Sequence, residues 1–198
     1  MRGLLRSLVA AGLLCTQGAA GLAAQVRVVL GVGGGTISPM SKSDWIVGSG
    51  EAVKSIGYNA QLMFGFQPPK GIVGVRLDGQ YASVNHETAT GASVRAKDKL
   101  TGGNLDLVAH LGKAGNAVRP YVLAGPSVYH DSYRSDVTPQ GDTSSTKFGF
   151  NGGAGLNLGK SDRVWFFVEA RYVYTENHSF IPATAGVRIN THQPYTKR

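Results

Sequence analysis

The stretch "YNAQLMFGFQPPKGIVGVRLDGQYASV", residues 58–84, decides how the chain folds. In its first half Tyr58, Ala60, Leu62, Phe64 and Phe66 share one register, and Gly57, Asn59, Gln61, Met63 and Gly65 share the other. After Pro68, Pro69, Lys70 and Gly71 the pattern resumes, with Val73, Val75, Leu77 and Tyr81 opposed to Gly74, Arg76, Asp78 and Gln80. A period of two is the period of a strand, and Pro and Gly punctuate turns. The stretch therefore reads as two antiparallel strands, each with an oily and a polar side.

Working outward, the same alternation recurs in six more segments. They are residues 26–36, 101–112, 120–129, 147–158, 164–174 and 181–190. Only 120–129, "PYVLAGPSVY", leaves its register unclear, because apolar residues fall on both sides. The connections also alternate. Residues 37–51, 86–99 and 131–146 form long polar ones, whereas 67–71, 113–119 and 159–163 are short. The connection at 176–179 departs from this, being short where a long one is due. Long loops at one end and tight turns at the other are what an up-and-down meander produces when it crosses a membrane.

The N-terminus reads as an address. "MRGLLRSLVAAGLLCTQGAAGLAAQ" carries Arg2 and Arg6, then an apolar run, then small residues, the pattern of a secretory signal peptide. Cleavage after Ala23 puts small residues at Gly21 and Ala23, which divides the chain into a signal peptide (1–23), a barrel (24–190) and a polar tail (191–198). Cys15, the sole cysteine, falls in the removed segment, so no disulfide is expected. A signal anchor and a lipoprotein site at Cys15 fit less well, since the apolar run is short and Leu14 precedes the cysteine. Loss of Arg2 and Arg6 lowers the formal charge from +8 to +6. No basic cluster interleaved with aromatics accompanies that charge, so nucleic acid is not an expected partner.

Eight alternating strands allow two opposite proteins. A lipocalin-like soluble carrier turns its oily face inward, whereas a transmembrane barrel turns it to lipid. The makeup of the polar face separates them. It carries Gly57, Gly65, Gly74, Gly149, Gly153, Gly155 and Gly186 with Asn59, Gln61, Asn104, Asn151 and Asn157, which suit a cramped lumen better than a solvated surface. Its charges balance, Arg76, Arg171 and Arg188 against Asp78, Asp106 and Glu169, as buried ions must. With strand one running outward, Tyr58, Tyr81, Phe148, Phe150, Tyr172 and Tyr174 fall toward the long-loop end, and Phe64, Phe66 and Phe166 toward the other. Two aromatic girdles are a membrane signature. The expected fold is all-β, an eight-stranded antiparallel up-and-down transmembrane β-barrel.

The mature chain resembles the small bacterial outer-membrane β-barrel proteins of the OmpA/OmpX type, the outer membrane protein beta-barrel domain family. "RPYVLAGPSVY" and "FGFNGGAGLNLG" followed by "FFVEARYVYTENHSF" and "ATAGVRI" look like its late strands. The resemblance implies the outer membrane of a Gram-negative cell envelope, contact with outer-membrane lipid and lipopolysaccharide, and insertion by the barrel-assembly machinery. One feature departs from the family, whose last strand usually ends on an aromatic residue. Here it ends at Ile189-Asn190 and the tail "THQPYTKR" follows.

No motif carries a clear chemistry. "GVGGGT", residues 31–36, lacks the lysine of a phosphate loop, and strand glycines mark a crowded wall instead. His86, His110, His130, His178 and His192 lack metal-ligand spacing, and the strand ends that carry His86, His130 and His178 are not neighbours. Neither a metal nor a cofactor is expected. Some outer-membrane barrels that modify the acyl chains of lipid A pair serine with histidine. His178-Ser179, with Glu176 nearby, is the candidate for that alternative. The expected role is non-enzymatic: a barrel whose lumen is plugged by its ion network and whose long loops face the outside. Trp45, beside Lys42 and Asp44, and Tyr133 with Arg134 are the loop contact candidates, being the residue types that anchor interfaces.

Overall fold

A computed structural model describes residues 27–40, 52–67, 72–88, 96–112, 116–135, 143–159, 163–176 and 178–191. Eight strands follow in chain order: β1 (Arg27–Pro39), β2 (Ala52–Gln67), β3 (Val73–Thr88), β4 (Ala96–His110), β5 (Val118–Ser135), β6 (Thr143–Leu158), β7 (Val164–Thr175) and β8 (His178–Asn190). Each pairs antiparallel with the next, and β1 pairs with β8, so the sheet closes into a barrel with no free edge. The closing seam runs from Val29 opposite Asn190 to Pro39 opposite Phe180. It is extended at its inner end by the Thr191 N–H, which donates to the Val28 carbonyl at 2.8 Å.

The alternation fixes which side chains face out. Leu62 is 68% exposed and Phe150 70%, and Leu30, Val32, Val75, Leu77, Leu105, Leu107, Val168 and Ile189 join them on the outer wall. Asn59, Gln61, Arg76, Asp78, Asn104, Asp106, Asn151, Asn157, Glu169, Arg171 and Arg188 are buried inside. This is the reverse of a lipocalin. An apolar outer wall of this extent belongs in lipid, where a closed barrel satisfies every backbone group internally. Tyr58, Tyr81, Phe148, Phe150, Tyr172 and Tyr174 all stand on the outer wall at one end, and Phe64, Phe66 and Phe166 at the other. Rings within each girdle meet: Tyr58 and Tyr81 lie 6.4 Å apart, and Phe64 and Phe66 pack edge-on at 5.0 Å.

β5, ambiguous in sequence, turns Tyr121, Leu123, Ser127 and Tyr129 inward and Val122, Ala124, Pro126 and Val128 outward. Another difference concerns the strand ends. Pairing between β3 and β4 continues out to His86 opposite Ala96, and β5 pairs with β6 as far as Tyr133 opposite Thr143. Much of what the sequence suggests is loop at 86–99 and 131–146 is therefore ladder. At a strand rise near 3.4 Å and a tilt near 40°, the 12 residues of β7 cover about 30 Å and the 18 of β5 about 45 Å. The lipid-facing band is only about 25 Å tall, so the longer strands stand clear of it.

The interior is layered. Toward the outer end Ile37, Ala82, Val84, Leu100, Tyr129, Val173 and Phe180 form an apolar cluster. The charged residues lie below it. Two small apolar groups, Val29 with Met63 and Phe167, and Val108 with Tyr121 and Leu123, flank them on the inner side. The lumen is thus not uniformly polar, as the alternation alone suggests. Glycine makes room for the large inward rings. A Cβ at Gly33 or Gly186 would press on the Phe167 ring, and one at Gly155 would overlap Tyr121. That crowding accounts for part of the "GVGGGT" run in β1.

Candidate functional site in the barrel lumen

β3 places Arg76 and Asp78 two residues apart, so both point into the lumen, and β7 does the same with Glu169 and Arg171. Asp106 of β4 lies opposite Arg76 in the ladder. Across the lumen these five close into one network. Arg76 donates from Nε to Asp78 Oδ2 at 3.0 Å and from Nη2 to Glu169 Oε2 at 2.7 Å. Arg171 donates from Nη1 to Asp106 Oδ2 at 2.9 Å, and also to Asp78 and to Glu169. Each of these five side chains is 6% exposed or less.

Neutral side chains complete the set. The Tyr121 hydroxyl donates to Glu169 Oε2 at 2.7 Å, and Asn151 Nδ2 donates to Asp106 Oδ1 at 2.8 Å. Tyr129, roofing the cluster, donates to Gln80 Oε1 at 2.7 Å. Burying an ion costs several kcal/mol, which is offset only by multiple well-aligned partners. Both arginines engage more than one carboxylate, which goes most of the way to that condition, while Asp78 Oδ1 is left without a protein partner. It ties β3, β4 and β7 together across the lumen.

The network differs from the sequence expectation at one residue. The sequence predicts six balancing ions, but the structure brings together five, with three carboxylates against two guanidinium groups. Arg188 sits apart, its guanidinium 5.8 Å from the Trp165 ring centroid. Alternation assigns a residue to a face, while its height in the barrel follows from register; Arg188 pairs with Gly31 and Trp165, away from Asp78 and Asp106. Asn151 is legible on the polar face, whereas Tyr121 and Tyr129 are hidden by the ambiguous register of β5.

The family is decided by a match across most of the chain. The outer membrane protein beta-barrel domain matches residues 7–193. The chain belongs to that family. It is a bacterial outer-membrane protein, and the apolar outer wall is its lipid surface. Solved outer membrane protein beta-barrel structures share its fold. OprG of Pseudomonas aeruginosa matches with a TM-score of 0.56 at 14% identity, covering 85% of this chain and 97% of that one. A major outer membrane protein of Thermus thermophilus gives 0.55 at 11%, covering 84% and 99%. Neisserial surface protein A gives 0.52 at 18%, covering 83% and 96%. No curated protein sequence matches this chain.

The loop candidates are placed differently from the sequence expectation. Tyr133 and Arg134 belong to β5, paired with Asp98 and Lys97 of β4, so they stand on the protruding ladder rather than in a loop. Trp45, Lys42 and Asp44 lie outside the described residues. His178 and Ser179 open β8 rather than close β7; His178 pairs with Thr175, and the Ser179 carbonyl accepts from the Met40 N–H at 2.9 Å. His130 Nδ1 lies 3.1 Å from Thr146 Oγ1 on the outer wall. Among the described residues no group of three or more His, Cys, Asp and Glu is arranged to hold a metal ion.

Proposed function

We propose that this chain is a non-enzymatic outer-membrane barrel with a closed lumen, serving a structural or surface-interaction role through its outer loops and strand ends. The observation that supports this reading is the filling of the lumen. An apolar layer that includes Ile37, Val84, Val173 and Phe180 lies over the Arg76–Arg171 ion cluster. An eight-stranded barrel has an interior just wide enough for side chains, and here they occupy it in two chemically different layers. Outer-membrane lipid and lipopolysaccharide meet the apolar wall, and the barrel-assembly machinery inserts the chain. Trp45, Tyr133 and Arg134 are the contact residues proposed for an extracellular partner.

Planar-bilayer recording tests the closed lumen. The refolded protein should give no discrete conductance steps, and sustained ohmic steps would refute the closure. The absence of enzyme activity is tested at Ser179. The acyl pattern of lipid A, read by mass spectrometry, should be the same in cells expressing the wild type, Ser179→Ala or neither. A pattern that depends on Ser179 would make the protein a lipid A acyl-modifying enzyme.

A further inference from the structure

Below the ion cluster, toward the short-turn end, the lumen holds a small cavity of about 20 Å³. Arg188 and His110 line it, with Arg76 and Gln67 on its other walls. Arg188 is 6% exposed and His110 3%. Arg188 Nε and His110 Nδ1 are both buried with no hydrogen-bond partner. Among the described residues no carboxylate stands within ion-pair distance of Arg188. Asp78, Asp106 and Glu169 are engaged by Arg76 and Arg171. The Trp165 face offers Arg188 a weak attraction, which does not replace a counter-charge for a buried guanidinium.

We propose that this cavity binds a small monoanion of chloride size, held by Arg188 with His110. The pocket is open on one side, and its inner space of about 20 Å³ takes roughly one water-sized particle, which suits a halide. A water molecule there could accept from Arg188 Nε, but the cluster's surplus carboxylate charge, Glu169 included, would then act on the guanidinium only from beyond ion-pair distance. An anion supplies both the acceptor and the charge. In its Nδ1–H tautomer His110 gives the anion a second donor. Arg76 also lines the pocket but is already paired with Asp78 and Glu169, so Arg188 and His110 are the donors left for the anion.

Trp165, next to Arg188, makes the site observable. In a Trp45→Phe background, bromide is titrated into the refolded barrel at constant ionic strength while tryptophan fluorescence is recorded. Crystals grown in bromide are measured for anomalous scattering. The expected results are saturable quenching reversed by chloride, and a bromide peak between Arg188 and His110. Arg188→Gln, checked for folding by heat-modifiability, should weaken the apparent affinity about tenfold or more, the scale of one charged hydrogen bond. Quenching that rises linearly, ignores chloride and leaves the cavity without a bromide peak would overturn the proposal. If Arg188→Gln does not fold, the wild-type titration and the bromide map decide alone.

Discussion

At Arg171 three acidic neighbours converge, so this residue holds the cluster together. Arg171→Met keeps the bulk and removes the charge. It leaves Asp78 and Asp106 facing Arg76 alone and should lower stability by about 3–5 kcal/mol, the cost of breaking a buried pair by deleting one partner. The urea midpoint in detergent micelles measures it, and an unchanged midpoint would show that the network contributes nothing. The cluster was largely legible in sequence, because Arg76 with Asp78 and Glu169 with Arg171 share a face by spacing alone. Arg188 was not, since a period of two carries no information about height. The inward tyrosines of β5 were lost for a different reason: Tyr121 and Leu123 are as apolar as the Val122 and Ala124 that face lipid, which erases the contrast that periodicity depends on.

The eight strands themselves stand out in the sequence wherever one face meets lipid and the other the lumen. Beyond the membrane that contrast disappears. Residues such as those at 96–99 and 131–135 are paired in the ladder yet polar on both sides, so the sequence reading stops short of the true strand ends. An epitope inserted after Gln140, between β5 and β6, should therefore disturb neither pairing nor lipid contact. Heat-modifiability should be retained, and the tag should be reached by antibody on intact cells. Labelling only after cell lysis would invert the assigned orientation.

For the whole molecule, the decisive property is that the outer wall is the apolar one. Leu62 lies mid-strand on β2, between Val32 of β1 and Gly79 of β3. Leu62→Arg places a charge in the lipid-facing band and should cost about 2–4 kcal/mol, the range for a basic residue at the bilayer midplane. Refolding into liposomes across a denaturant series reads the difference. A neutral result would place that face in water. The protruding β5–β6 ladder has a further consequence. Hydrogen-bonded pairing as far as Tyr133 opposite Thr143 holds these two strand ends at a fixed height above the lipid head groups. Under the surface-interaction role proposed above, a partner meeting this paired stretch would spend little of its binding energy on ordering backbone.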